Sequence, residues 1–211
     1  MTPPPPQTLA YMLVMNALIF GAAVLFCWGV EALWKRIKSE SAARRPFPPE
    51  GAMRFGAALR FALRHFVWML PATLLLSFGF NELAQLCGFE LPQQEVVVWM
   101  TSPDCVLASK VIIAILAVVE APILEELLFR RFVFRAFLTR CPLAVALLAS
   151  GALFAAVHGY IATFLPLTLL GAFFGWIYYR TGRLTAAIFF HFLFNLSNLL
   201  LMILFPELAT A

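Results

Sequence analysis

The sequence predicts an all-α fold: a polytopic membrane bundle of about six transmembrane helices. Of its 211 residues, 63% are hydrophobic and only 12% are charged, and the mean hydropathy is +0.89. A soluble domain is about 45–50% apolar and about 25% charged, so this composition excludes a soluble enzyme, a nucleic-acid-binding module and a disordered tail. We therefore expect the lipid bilayer as the surroundings of the chain, and no nucleic acid as a partner.

Six apolar runs justify the number of helices, since a helix crosses the hydrocarbon core with about 20 apolar residues. We predict spans over residues 9–34, 61–88, 111–134, 143–165, 167–179 and 184–204. Pro71 lies inside the second run, where a bundle tolerates it. The fifth run is short, and it lengthens if residues 164–166 belong to it.

The basic residues predict the orientation of these spans. Fourteen of the 15 lysines and arginines lie in or beside three connections, at residues 35–64, 130–140 and 180–183. On the opposite side, the charged residues are mostly acidic. They are Glu90, Glu95, Asp104, Lys110 and Glu207. By the positive-inside rule, the basic connections face the cytoplasm and both termini lie outside. The net charge of +4 is thus a topology signal.

A few ionisable or amide side chains lie inside the apolar runs. Each costs several kcal/mol there unless it is paired or faces water, so each is a candidate functional residue. The third run contains three carboxylates and two arginines, and the fourth and sixth runs contain the others: Glu120, Glu125, Glu126, Arg130, Arg131, His158, His191 and Asn195.

Helical spacing separates the two adjacent carboxylates. Glu126 and Arg130 are at i and i+4, so they can pair along one face of the helix. Glu125 lies about 100° around the helix from Glu126 and is left for chemistry. Counted from Arg130 as the membrane interface, Glu125 lies roughly 8 Å inside.

The remaining polar residues can meet Glu125. The third and fourth runs form a hairpin in which Glu125 and His158 lie at matching depth. His191 and Asn195, at i and i+4, point the same way. We therefore predict one water-containing cavity that holds all four side chains and opens near the cytoplasmic side.

Two chemistries fit this set, and both hydrolyse an amide bond. In the first, Glu125 is a general base that deprotonates a water with His158, while His191 and Asn195 donate hydrogen bonds to the oxyanion. In the second, Glu125, His158 and His191 bind zinc and leave a fourth position for water. A cluster that only holds the helices together is the structural alternative.

Three motifs in this order resemble those of a known family. They are Glu125-Glu126-Leu127-Leu128-Phe129-Arg130 (EExxxR), Phe154-Ala155-Ala156-Val157-His158 (FxxxH) and His191-Phe192-Leu193-Phe194-Asn195 (HxxxN). The chain resembles the CPBP (Abi) intramembrane proteases, which include the type II CAAX prenyl endopeptidases. The resemblance covers about residues 112–200, and it divides the single membrane domain (1–211) into accessory N-terminal helices with a basic loop (8–105) and a protease-like core (106–205).

The resemblance implies a membrane-embedded endopeptidase, in a bacterial inner membrane, that cleaves a membrane-associated peptide or protein. It assigns catalysis to Glu125, His158, His191 and Asn195, and support of the site to Glu126, Arg130 and Phe154. Since an asparagine is a poor zinc ligand but a good oxyanion donor, we expect no cofactor, with zinc as the alternative.

Two glycines lie between the second and third motifs. Gly171 and Gly175 form a GxxxG pattern, which is typical of closely packed membrane helices.

A catalytically idle immunity or scaffold protein is the alternative function, although such a protein needs no oxyanion donors. A transporter is less consistent with the pattern, because charges at one level make no pathway across the membrane.

Overall fold

The computed structural model describes residues 3–37, 47, 51–89, 91–92 and 94–205. Within these ranges the chain forms seven helices and no strand. They are α1 (Pro6–Ile37), α2 (Phe55–Leu86), α3 (Glu95–Thr101), α4 (Leu107–Leu138), α5 (Leu143–His158), α6 (Ile161–Thr181) and α7 (Leu184–Leu204). The predicted all-α bundle is confirmed.

Five of these helices are long and apolar enough to cross a membrane, namely α1 (over Pro6–Gly29), α2, α4, α6 and α7. The sixth apolar helix, α5, has only 16 residues. The protein is thus a multi-pass integral membrane protein. The ends of α7 agree with the prediction, whereas α1, α2 and α4 are longer than predicted, because charged residues near their ends are tolerated within the helix. The short helix α3 was not predicted.

The predicted boundary between the fourth and fifth spans is wrong. Helix α5, which corresponds to the fourth predicted span, ends at His158 and not at residue 165, and α6 begins at Ile161 and not at residue 167. Gly159 ends α5 in the left-handed conformation, with φ of 74°, which glycine adopts without steric cost. Pro166 is the sixth residue of α6, where its missing N–H leaves the O of Ala162 without its α-helical backbone donor but does not end the helix. Of the six predicted spans, the fourth is therefore the short one, and the fifth is a full-length helix.

Helices α5 and α6 pack with their backbones in close contact. A Cβ atom added to Gly151 would collide with the backbone O of Thr168 and N of Ala172, and one added to Gly171 would lie 3.0 Å from Cα of Gly151. One added to Gly175 would lie 3.0 Å from the side chain of Leu147. The predicted role of Gly171 and Gly175 in close helix packing is confirmed.

Helix α4 is not a regular α-helix. Two π-helical stretches, Leu116–Glu120 and Leu127–Phe134, flank a short α-helical stretch, Ala121–Glu126. In a π-helix each N–H bonds the carbonyl five residues earlier, and such turns are frequent at functional sites. The EExxxR motif begins at the end of the α-helical stretch and continues into the second π-helical one.

Part of the predicted cytoplasmic loop packs on the turn between α6 and α7. The backbone N–H of Met53 donates to the O of Thr181 at 2.9 Å, and Arg183 Nε–H donates to the O of Met53. The ring of Phe47 lies 4.8 Å from that of Tyr178. Several charged residues used for the orientation lie outside the described residues: Lys38, Arg44, Arg45, Glu90 and Glu207.

Candidate active site

Glu126 and Arg130 form the buried ion pair that their spacing predicts. Glu126 Oε2 lies 2.9 Å from Arg130 Nε, and both side chains are 0% exposed. The guanidinium carbon lies 4.9 Å from the ring centre of Phe154 and 5.2 Å from that of Phe174. Among the described residues, its two terminal nitrogens have no hydrogen-bond partner. Arg130 is therefore held by one carboxylate and by the faces of aromatic rings.

The burial of Arg130 corrects the predicted depth of the site. The prediction counted depth from Arg130 as an interface residue, but α4 continues to Leu138. Arg130 is buried inside the bundle and therefore does not mark the membrane interface. The depth of Glu125 counted from Arg130 does not hold.

His191 lies between the two adjacent glutamates. Its Nδ1 is 3.1 Å from Glu126 Oε1, and its Nε2 is 3.9 Å from Glu125 Oε2. The first distance is that of a hydrogen bond and the second is longer. Because an ionised carboxylate only accepts, Nδ1 carries the proton in this hydrogen bond. The imidazole stacks on the ring of Phe174, with centroids 4.5 Å apart, so its orientation is set from two sides.

Glu125 differs from Glu126 in its access to the surroundings. Its side chain is 16% exposed, whereas that of Glu126 is 0% exposed. Glu126 has a partner on each oxygen, Arg130 on one and His191 on the other. Glu125 is within electrostatic reach of both His158 and His191. Of the two carboxylates, Glu125 is the one that water or a substrate can reach.

His158 is the last residue of α5. Its Nδ1 lies 2.8 Å from the O of Phe154, which is a hydrogen bond from the ring N–H to the carbonyl. This hydrogen bond leaves Nε2 without the proton in the neutral imidazole, so Nε2 can accept a proton. The ring of Phe154 packs against His158 at 4.8 Å and against His191 at 5.9 Å. Phe154 thus separates and orients the two histidines.

Asn195 has a partner that its spacing does not predict. Its Nδ2–H donates to the backbone O of Ala117 at 2.7 Å, in the first π-helical stretch of α4. The structure therefore brings together Glu125, Glu126, Arg130 and His191, while Asn195 contacts α4 further from the carboxylates.

The sequence analysis missed other residues that shape the site. Phe129 and Phe174 contribute two of the ring faces around Arg130, and Phe174 also stacks on His191. In a chain with 22 phenylalanines, no sequence signal distinguishes these two. Pro122 was a possible signal for the irregular hydrogen bonding of α4, since a proline inside a span leaves a carbonyl without its backbone partner.

The zinc alternative names Glu125, His158 and His191 as the ligands. No group of three or more His, Cys, Asp or Glu side chains among the described residues lies close enough to hold a metal ion. His158 Nδ1 faces a carbonyl, and His191 Nδ1 faces Glu126. We therefore derive no catalytic step that uses zinc.

Comparisons with known proteins agree with the motifs. Residues 107–197 match the model of a family described as Rce1-like, type II CAAX prenyl endopeptidase. The protein named "Putative membrane peptidase YdiL" in Bacillus subtilis (strain 168) is 35% identical over 81 residues, which is 38% of this chain and 33% of that relative. The match thus spans about a third of the relative's length. No solved structure matches the chain. Over residues 107–197, which are less than half of the chain, the protein is thus similar to the Rce1-like type II CAAX prenyl endopeptidases.

Proposed function

We propose that the protein is an intramembrane endopeptidase that hydrolyses a peptide bond of a membrane-associated protein or peptide. The observation that carries this proposal is His191, which lies between a partly accessible Glu125 and a buried Glu126–Arg130 ion pair. Membrane-spanning helices α4 and α7 supply all four residues. The family match and the named peptidase relative support the same reaction class.

Glu125 is the proposed general base. It is the more exposed carboxylate, and its Oε2 lies 3.9 Å from Nε2 of His191. His158 presents Nε2 as an acceptor, so Glu125 and His158 can share the two protons of one water molecule. The deprotonated water then attacks the substrate carbonyl, whose oxygen becomes the oxyanion. When this tetrahedral intermediate collapses, the C–N bond breaks, and Glu125 returns the proton to the nitrogen of the leaving amine.

His191 is the proposed donor to the oxyanion of the tetrahedral intermediate. Because Nδ1–H is used by Glu126, Nε2 donates only when the ring is an imidazolium. Two glutamates and one arginine leave one negative charge, which this imidazolium neutralises. When Glu125 takes the water proton, the negative charge moves from Glu125 to the oxyanion, and the net charge of the site stays constant. Glu126 thus stabilises the form of His191 that the reaction needs.

Asn195 is the proposed second oxyanion donor. An asparagine amide has two N–H groups, and one of them bonds the O of Ala117. The other is the one that we assign to the oxyanion. No metal takes part in this mechanism.

The site operates in a bacterial inner membrane, with the basic connections in the cytoplasm and both termini outside, in our proposal. The substrate is a membrane-associated peptide, such as a leader peptide, or a membrane-anchored protein. The recognised sequence is to be found by experiment.

The decisive experiment compares the membrane proteomes of cells that produce the wild type, Glu125→Gln or Glu120→Gln. Glu120 is a matched control, because it is a carboxylate on the same helix and lies outside the proposed machinery. We expect the wild-type cleavage products to persist with Glu120→Gln and to disappear with Glu125→Gln, while all three proteins insert at equal levels. Cleavage by the Glu125→Gln protein would exclude Glu125 as the base. Identical proteomes in all strains and in a strain without the protein would favour the idle scaffold.

A further inference from the structure

Just after the first π-helical stretch of α4, one backbone N–H that would donate a hydrogen bond is missing. The backbone N–H of Ala121 donates to the O of Leu116, five residues earlier. In the same pattern, the N–H of residue 122 would donate to the O of Ala117. Residue 122 is a proline, which has no N–H. Inside a membrane, a carbonyl without a partner costs free energy comparable to that of a lost hydrogen bond.

The side chain of Asn195 supplies the missing donor. Its Nδ2 lies 2.7 Å from the O of Ala117, which is a short and direct hydrogen bond. We propose that Asn195 is a positioning residue, whose amide replaces the N–H that Pro122 lacks and thereby holds the segment that presents Glu125 and Glu126.

The location of this hydrogen bond links it to catalysis. Helix α7 contacts α4 through two polar side chains one turn apart, since His191 bonds Glu126 and Asn195 bonds the O of Ala117. The α-helical stretch Ala121–Glu126 lies between these two contacts. A shift of this stretch would therefore change the distance between Glu125 and His191, which is 3.9 Å in the structure. The catalytic consequence rests on the proposed protease function, whereas the hydrogen bond itself does not.

A double-mutant cycle with Pro122 tests the proposal. Pro122→Ala restores a backbone N–H at the position where it is missing. We expect Asn195→Ala to lower the Tm of the purified protein in detergent by about 2–6 °C, as expected for one unsatisfied buried carbonyl in a chain of this size. Pro122→Ala in the same chain should recover most of that loss. Additive Tm losses in the double variant would overturn the proposal.

Asn198 provides a matched control on the same helix. Its amide donates to the O of Phe194, within α7, at 3.1 Å. Asn198→Ala therefore removes an asparagine hydrogen bond that does not involve α4. Pro122→Ala should not recover any Tm loss that Asn198→Ala causes, and an equal recovery would show that the effect of Pro122→Ala is unspecific, against the proposal.

Turnover separates positioning from direct action on the oxyanion. With a cleavage reporter taken from the proteome comparison, we expect Asn195→Ala to lower kcat tenfold or more, since small displacements of reacting groups reduce rates by about this amount. Because Asn195 is also the proposed second oxyanion donor, we expect Pro122→Ala to recover part of kcat together with Tm in the double variant. Recovery of Tm without any recovery of kcat would show that Asn195 acts in catalysis through the oxyanion alone, and would overturn the positioning role. If no variant or wild type cleaves, the protease function fails, while the Tm cycle still tests the hydrogen bond.

Discussion

The pair α5–α6 and the pair α4–α7 are held together in different ways. Helices α5 and α6 touch through backbone at Gly151 and Gly171, where no side chain intervenes. Helices α4 and α7 meet through polar side chains, at His191 with Glu126 and at Asn195 with Ala117. Lipid tails are as apolar as leucine, so neither pair gains from hydrophobic burial against lipid. The first pair gains from close packing, and the second from hydrogen bonds and charge.

The α5–α6 pair supports the fold, whereas the α4–α7 pair holds the residues of the proposed reaction. The glycine contact has no titratable group and depends only on shape, whereas the polar contact places ionisable groups where water is scarce. Both pairs reach the same centre, because Phe154 of α5 and Phe174 of α6 contact His191 of α7. We therefore expect variants of the two pairs to fail differently.

The largest effect is expected at the glycine contact. Gly151→Leu places a side chain where the backbones of Thr168 and Ala172 already lie, so the α5–α6 pair cannot form. We expect no monodisperse protein in size-exclusion chromatography. Gly79→Leu is the control, since nothing lies within 4 Å of a Cβ at this exposed position of α2. A well-folded Gly151→Leu protein would contradict the close packing of these helices.

The next effect is expected at the buried ion pair. Arg130→Met leaves Glu126 charged and buried without its arginine, and breaking such a pair costs about 3–5 kcal/mol in the free energy of unfolding. Adding Glu126→Gln should recover much of this stability, because no charge is then left unpaired. Turnover should stay low in the double variant, since no carboxylate then accepts the hydrogen bond from Nδ1 of His191. Thermal unfolding and reporter cleavage measure the two effects, and recovery of both would argue against the role of Glu126 in catalysis.

A smaller effect is expected from the aromatic ring shared by the two charged groups. Phe174→Leu removes the stack on His191 and one ring face at Arg130. Such contacts contribute about 0.5–1.5 kcal/mol each, so we expect a modest fall in Tm and a several-fold fall in kcat. Phe78→Leu is the control, because Phe78 is 64% exposed on α2. Equal effects of the two substitutions would show that the stack contributes nothing specific.

The smallest effect is expected from removal of metal. If Glu125 activates water without zinc, the chelator EDTA leaves reporter cleavage unchanged, and elemental analysis finds no stoichiometric zinc in the active protein. Loss of activity on chelation and its return with added zinc would contradict the metal-free mechanism.

The spacing of residues along the predicted helices was enough to predict much of the site. The pairing of Glu126 with Arg130 follows from the helical repeat, and the small residues at 171 and 175 predict close packing. Gly151 was not singled out, because its role depends on α6, which lies across the hairpin. The end of α5 was misjudged because Gly159 and Pro166 both signal a boundary, and only the packed hairpin shows which of them ends the helix.

The composition and the order of the apolar runs determined the location in a membrane, the all-α class and the candidate residues. Each of these depends on residue type and on the helical period. The fold decided which nitrogen of His191 faces which glutamate, that Arg130 is buried rather than interfacial, and that Asn195 bonds a backbone carbonyl. These contacts join helices that are far apart in sequence. Their geometry depends on how α4 and α7 pack, and the π-helical turns of α4 alter the regular repeat on which the sequence predictions rest.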